Sequence, residues 1–413
     1  MNATQRFWLI LTLAVILDFY IIWTWRRYRR ISHADNKQAK SLQVLRGSIL
    51  IRSMFPDRVS NWVSRFWQND NIKRRLLISL ELLLIGFWAL WVGREYLNFD
   101  SSIVPSGREF GSTIQTHHLW TRFKECGWCA TWNGSERGGY PAFADVQGSM
   151  LHPLTIITTL IWGVINGVKI SLVVSFWVAG VAQWWLAREL KLSWLPRLWS
   201  AGIAVVGGHL AGRMELGVVG VVLSTAMSSL IFAGVLYVAR GGGRRAAVLL
   251  GVVIASAIVS GQGYLQLGLL GILPALSFLL LDREFNLKPM WKDYALAAGL
   301  AFLFAAPFLI PFTHFYPNFV KDSDPEFKSA QALQYLPLNL IINDWQYYKS
   351  EILGKFPYPY LYTLYIGWVP IILAVVGLSM KKREDRNWLW FLLSSAILEF
   401  FIASAIPLKW LAN

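Results

Sequence analysis

Cysteine and charge are both scarce in this sequence of 413 residues, which has two cysteines and 15% charged side chains. Two thiols are too few for a structural zinc site, which typically takes four ligands. The sequence also lacks a Walker phosphate loop, a G-x-G-x-x-G before a helix and the G-x-S-x-G of serine hydrolases. Nothing in it therefore supports a nucleotide-driven protein or a serine hydrolase.

Apolar segments dominate what remains. The chain is 55% hydrophobic with a mean hydropathy of +0.42, and its apolar stretches repeatedly reach the roughly 17 to 25 residues that cross a bilayer. We predict an all-α integral membrane protein of about ten transmembrane helices. The predicted spans are 7–25, 75–93, 169–187, 198–211, 218–239, 246–260, 264–281, 293–312, 360–380 and 388–408.

The net charge of +15 does not indicate a nucleic-acid partner, because the basic residues form short clusters beside apolar spans, as the positive-inside rule describes. RRYRR, GGGRR and KKREDR all fall on the cytoplasmic side if the N-terminus lies outside. The two large loops, 94–168 and 313–359, are then extracytoplasmic.

We divide the chain into residues 1–74, an anchor helix with a basic cytoplasmic segment, and a transmembrane domain over 75–413. Part of the basic segment either lies along the inner leaflet or is a solvated linker. Short or proline-interrupted spans either surround an outward recess or are kinks without function. Residues 154–165 fit a short interfacial helix, since Asn166 and Lys169 separate it from the span that follows.

Several polar residues of the first large loop are candidates for chemistry. Asp100 follows a span directly and suits a general base, although it could instead cap the chain or pair with Arg94 or Arg108. Asp145 either acts in catalysis or satisfies loop amides. It belongs to the polar, glycine-rich segment WNGSERGGYPAFADVQGSMLHP. The other candidate side chains of that segment are Arg137, Tyr140, Gln147 and His152.

A second candidate group lies in GGHLAGRMELG. His209 and Arg213 are four residues apart and would share a helix face near the predicted recess. A guanidinium there suits a phosphate, with His209 and Glu215 beside it. The alternative is a surface pair between Arg213 and Glu215.

Cys126 and Cys129 form a CGWC pattern without the βαβ context of a thioredoxin-like motif, so we expect a local disulfide on the extracytoplasmic side. His117 and His118, with Glu109 and Glu125 nearby, are a weak metal signal because adjacent residues point in different directions. A divalent metal is possible but not favoured.

Together these motifs resemble a known family. The order WN...GGYPAFADVQGSMLHP, LARELKLS, GGHLAGRMELG and YIGWVPIILAVVGL is similar to bacterial YfhO-like membrane proteins of the GT-C glycosyltransferase superfamily. The similarity runs from about Asp100 to Gly377. It covers roughly two-thirds of the chain.

The resemblance implies a multi-pass protein of the bacterial inner membrane that uses a polyprenyl-phosphate-linked sugar as donor and inverts the sugar carbon. It implies a base at Asp100, a second acid at Asp145 and a basic residue at Arg213. This sequence departs from the family in its first anchor and basic segment, and it stops where relatives continue into further spans.

Three functions compete at this point. The first is a glycosyltransferase acting on an extracytoplasmic acceptor. The second is a transporter of a lipid-linked glycan, and the third is a non-catalytic structural subunit with membrane-protein partners.

Overall fold

The computed structural model describes residues 70–107, 109–134, 138–145, 148–262, 269, 275, 287–318, 330–349, 351, 362, 364–379, 386–407 and 409. The predicted anchor 7–25, residues 26–69 of the basic segment and nearly all of the predicted span 264–281 lie outside these residues. The chain divides into two units, Met1–Phe87 and Trp88–Asn413. The site described below lies in the second unit.

The described residues are mostly helical. The helices are α1 (Asp70–Val92), α2 (Phe110–Cys126), α3 (Pro153–Glu189), α4 (Trp194–Val206), α5 (Gly208–Leu216), α6 (Val219–Ala239), α7 (Gly243–Val259), α8 (Leu287–Phe315), α9 (Trp368–Ser379) and α10 (Arg386–Ala403). Two short strands, β1 (Trp132–Asn133) and β2 (Tyr140–Pro141), pair antiparallel.

Four described helices are long and apolar enough to cross a bilayer. They cover Arg75–Val92, Pro153–Glu189, Val219–Ala239 and Trp291–Asn318. Two shorter apolar helices follow at Trp368–Gly377 and Leu389–Ala403. The architecture is that of an all-α protein with helices that could span a membrane, and the total of ten spans stays a prediction.

Helix α3 contains a sharp break at Gly163, whose φ of 78° and ψ of −173° are not helical. A Cβ atom added to Gly167 would lie 3.0 Å from the carbonyl oxygen of Thr158. In a straight helix these two residues would be about 13 Å apart, so the chain folds back at Gly163. The part before the break corresponds to the predicted interfacial helix 154–165.

The core is built from helices that approach one another closely. Helix α3 packs against α2, α4 and α6, and α7 packs between α6 and α8. Gly251 of α7 allows the last contact, since an added Cβ would lie 2.9 Å from the carbonyl oxygen of Ala297 in α8. Small residues at such positions let apolar helices pack without a clash.

Two predicted spans are wrong in their boundaries. The predicted span 198–211 is two helices, because α4 ends at Val206 and α5 begins after an extended Gly207 (ψ 138°). Helix α4 has 13 residues and is about 20 Å long, shorter than the roughly 30 Å hydrocarbon core. Within the predicted span 360–380, residues 364–367 are not helical and α9 begins at Trp368.

Candidate functional site

Helix α5 lies where segments far apart in the sequence meet. At its C-terminal end, the Glu109 amide donates to the Leu216 carbonyl at 2.9 Å. Gly107 packs so closely here that an added Cβ would lie 2.5 Å from the Gly217 Cα. A larger residue at either glycine would have to displace backbone. The end of the segment that carries Asp100 is therefore fixed against the end of α5.

The other end of α5 contacts a segment more than a hundred residues later. The Gly208 amide donates to the Tyr365 carbonyl at 2.8 Å, and the Ile366 amide donates to the Leu340 carbonyl at 2.9 Å. A Cβ on Gly208 would lie 2.5 Å from the Tyr365 nitrogen. Chain from both predicted outer loops is thus connected to this one short helix.

The candidate side chains of α5 differ in burial. His209 is half-buried, and its Nε2 lies 3.0 Å from the Thr225 hydroxyl of α6. Arg213 is half-buried one turn further along, and Glu215 is exposed. Because residues four apart share a helix face, His209 and Arg213 lie on the same side of α5.

Asp100 is exposed and forms a tight turn with Ser102. Its Oδ1 accepts the Ser102 amide at 2.9 Å and the Ser102 hydroxyl at 2.7 Å. These hydrogen bonds, and the more distant charge of Lys169, lower the pKa of the Asp100 carboxyl. Arg94, one proposed partner, instead pairs with Glu95 at 3.3 Å. Asp100 is therefore an ionised, accessible carboxylate at neutral pH.

The backbone around Asp100 is held by two polar residues of α3 that the sequence analysis did not single out as functional. Lys169 Nζ donates to the carbonyls of Asn98 and Asp100 at 2.7 and 2.8 Å. Asn166 Nδ2 donates to the Phe99 carbonyl at 2.9 Å. Their signal in the sequence is a pair of polar residues three positions apart within an apolar run.

Asp145 lies in a half-buried turn near the two strands. Its amide donates to the Ala142 carbonyl at 3.3 Å, and its carbonyl accepts the Gly148 amide at 3.2 Å. Tyr140, on β2, accepts a hydrogen bond from Asn133 Nδ2 at 3.3 Å. Arg137 and Gln147 lie outside the described residues.

His152 caps the N-terminus of α3. Its Nδ1 accepts the Leu154 amide at 3.1 Å, and the side chain is 2% exposed. Burial lowers the pKa of His152 to about 4, so the imidazole is neutral at physiological pH. It can supply a hydrogen bond but no positive charge.

His117 and His118 point to different environments. His117 is 2% exposed, its Nδ1 lies 2.7 Å from the Thr159 hydroxyl, and burial lowers its pKa to about 3. His118 is exposed, as are Glu109 and Glu125. Within the described part of the chain, no group of three or more such side chains is arranged to hold a metal ion.

Cys126 and Cys129 are joined in a disulfide at the end of α2, with Cα atoms 5.6 Å apart. The bond closes a turn that presents the 80% exposed indole of Trp128. Because the two sulfur atoms are bonded to each other, the disulfide restrains the chain between α2 and β1.

The structure holds the candidate residues through different elements. Asp100 is held against α3, whereas the turn that leads into Asp145 packs against α8. His209, Arg213 and Glu215 share α5, which is connected by backbone to the end of the Asp100 segment. Comparison with protein-family models and with curated proteins finds no match for this chain.

Proposed function

We propose that this chain is a membrane glycosyltransferase of the GT-C type. In this proposal it transfers a sugar from a polyprenyl-phosphate carrier to an acceptor outside the cytoplasm. The observation that carries the proposal is the meeting of two distant segments on α5, the helix with His209, Arg213 and Glu215. A lipid-linked donor requires a cationic group for its phosphate next to apolar helices for its tail, and α5 adjoins α6, an apolar helix of bilayer length.

The reaction requires a proton acceptor, and we assign this role to Asp100. The acceptor hydroxyl attacks the anomeric carbon, and the bond from that carbon to the phosphate oxygen breaks with its electron pair leaving on the carrier phosphate. Asp100 takes the hydroxyl proton. Its exposure keeps the carboxylate accessible, and its lowered pKa keeps it ionised, although the same shift makes it a weaker base than an unperturbed aspartate.

Arg213 is the group we assign to the phosphate. A guanidinium can bind a phosphate through two parallel hydrogen bonds and stabilise the charge that develops on the leaving group. His209 lies on the same face of α5 and Glu215 at its exposed end. Asp145, Tyr140 and His152 serve in this scheme as walls and contacts for the sugar or acceptor, together with Arg137 and Gln147.

The order of motifs is the second support for the proposal. It resembles YfhO-like proteins over about two-thirds of the chain, and Asp100, Asp145 and Arg213 all stand at positions of that pattern. The resemblance also assigns the protein to the bacterial inner membrane with its large loops outside. No nucleotide or metal cofactor is part of the proposal.

The test is an Asp100→Asn variant assayed in proteoliposomes with a radiolabelled polyprenyl-phosphate hexose and an envelope extract as acceptor. We expect wild-type protein to release free polyprenyl phosphate and Asp100→Asn to lose at least 100-fold in rate, within the range ascribed to a general base. Carrier binding should be retained. Asp344→Asn is the matched control, because Asp344 is also exposed and forms the same kind of turn, with Gln346.

Other outcomes separate the competing functions. Wild-type rate in Asp100→Asn would remove this carboxylate from the mechanism. Movement of the labelled lipid across the bilayer without cleavage would favour a transporter. A stoichiometric partner that co-purifies with a chain unable to cleave the donor would favour a structural subunit.

A further inference from the structure

One face of α3, directly after its break, is built to hold three consecutive backbone carbonyls. Asn166 and Lys169 are three residues apart and therefore lie on the same side of the helix. Between them they donate to the carbonyls of Asn98, Phe99 and Asp100, at 2.7 to 2.9 Å.

A buried lysine in an apolar helix requires hydrogen-bond or ion-pair partners, because an ammonium group is costly to remove from water unless it is paired. Lys169 is 2% exposed. Its hydrogen bonds go to backbone carbonyls, while the nearby Asp100 carboxylate bonds to Ser102 instead. The lysine thus holds the path of the chain, while Oδ1 of the carboxylate is bonded to Ser102.

Hydrogen bonds within the turn link the fixed backbone to the Asp100 carboxylate. The Asp100 amide donates to Asn98 Oδ1 at 3.0 Å, and the Ile103 amide donates to the Asp100 carbonyl at 3.2 Å. Together with the two bonds from Ser102, these contacts leave residues 98–103 few ways to rearrange while the carbonyls stay fixed. Fixing the backbone therefore fixes the direction of the Asp100 side chain.

We propose that Lys169, assisted by Asn166, is a positioning residue that clamps the 98–102 turn to α3 and so orients the Asp100 carboxylate toward the acceptor hydroxyl. The proposal rests on the function proposed above. Lys169 itself does not touch the substrate in this scheme. Its contribution is geometric, and a displacement of about 1 Å at a catalytic group can cost about 100-fold in rate.

The experiment compares Lys169→Met, Lys169→Arg and Asn166→Leu in the full chain reconstituted in proteoliposomes. Ser175→Ala is the matched control, because Ser175 is a buried polar residue of the same helix whose hydroxyl donates to the Ser171 carbonyl. Two quantities are measured: the steady-state parameters for a polyprenyl-phosphate hexose, and hydrogen–deuterium exchange of the amides of residues 98–103.

We expect Lys169→Met to lower kcat by about 10- to 100-fold with KM for the donor unchanged. Exchange at Ser102 and Ile103 should rise at least tenfold, while the rest of α3 stays protected. Lys169→Arg should restore most of the kcat and most of the exchange protection, since a guanidinium can also donate to two carbonyls. Asn166→Leu should give a smaller effect in the same direction, and Ser175→Ala should give none.

Two results would overturn the proposal. Exchange at residues 98–103 that is unchanged in Lys169→Met would show that the lysine does not clamp the turn, and this readout requires no activity. Increased exchange with wild-type kcat would show that the clamp does not serve Asp100. If the wild-type chain cleaves no donor, the proposed function fails and the orienting role fails with it, whereas the exchange result still decides the clamp.

Discussion

At the scale of single residues, two buried histidines determine how the stability of the protein depends on pH. His117 and His152 are each 2% exposed, and burial lowers their pKa values to about 3 and about 4. Both lie before the span that follows Gly163, and both bond through Nδ1 to groups of α3. Both imidazoles are therefore neutral in the folded protein.

This neutrality predicts that the protein loses stability as pH falls below about 6.5. An unfolded histidine takes up a proton near pH 6.5, whereas the folded groups resist protonation until pH 3 to 4, so the unfolded state gains protons first. The contribution of the two neutral histidines to the free energy of unfolding is therefore fully present well above pH 6.5, and it decreases as the pH falls from 6.5 toward 3 to 4. At pH 5 we expect a loss of about 2 kcal/mol per histidine, measured as a lower Tm in detergent than at pH 7.5.

A matched pair of variants tests the assignment. His117→Gln should weaken this pH dependence, because it removes one of the two groups. His118→Gln, at the exposed neighbouring position, should leave it as it is. An equal Tm change between pH 7.5 and pH 5 in both variants and the wild type would contradict the assignment.

At the scale of elements, the break in α3 is the feature that organises the site. The sequence predicts a separate helix before the span from the polar residues Asn166 and Lys169. In the structure the separation occurs at Gly163, whose backbone conformation is one that essentially only glycine adopts. The polar residues are instead placed after the break, where they bind residues 98–100.

Gly163→Ala is expected to destabilise the protein by about 1 to 3 kcal/mol, because a Cβ disfavours this φ and ψ. The cost is conformational, since nothing lies within 4 Å of the added atom. The measurements are Tm in detergent and hydrogen exchange of residues 158–167. Gly299→Ala in α8 also meets nothing within 4 Å, and there alanine should be neutral or stabilising by up to about 1 kcal/mol.

The separation of α4 from α5 shows where sequence reasoning fails at this scale. The apolar run from Trp199 to Leu210 favours a single span, and its two adjacent glycines do not by themselves end a membrane helix. What ends α4 is the extended Gly207 and the bond from Gly208 to Tyr365. A contact between such distant residues cannot be read from local hydropathy.

At the scale of the whole molecule, composition was enough to predict an all-α protein with membrane-length helices, and four such helices are present among the described residues. The residue types and spacing of GGHLAGRMELG were enough to place His209 and Arg213 on one helix face. A role for Lys169 and Asn166 was not predicted, because their hydrogen-bond partners lie roughly 70 residues upstream. Orientation in the bilayer stays a prediction.

That orientation can be measured with single cysteines in a Cys126→Ser, Cys129→Ser background. Lys124→Cys lies on the first predicted outer loop and Leu192→Cys on a predicted inner connection, and both positions are exposed. If basic connections face the cytoplasm, a membrane-impermeant maleimide added to intact spheroplasts should label Lys124→Cys and leave Leu192→Cys unlabelled. The reverse pattern would invert the topology, and with it the side on which the proposed reaction takes place.

The bond between Gly208 and Tyr365 also has a consequence for biosynthesis. Helix α5 leaves the ribosome about 150 residues before its partner, which at 5 to 20 residues per second is a delay of roughly 8 to 30 seconds. During that interval the Gly208 amide has no Tyr365 carbonyl to bind. The packing of α5 seen in the folded protein can therefore be completed only after translation has passed Tyr365.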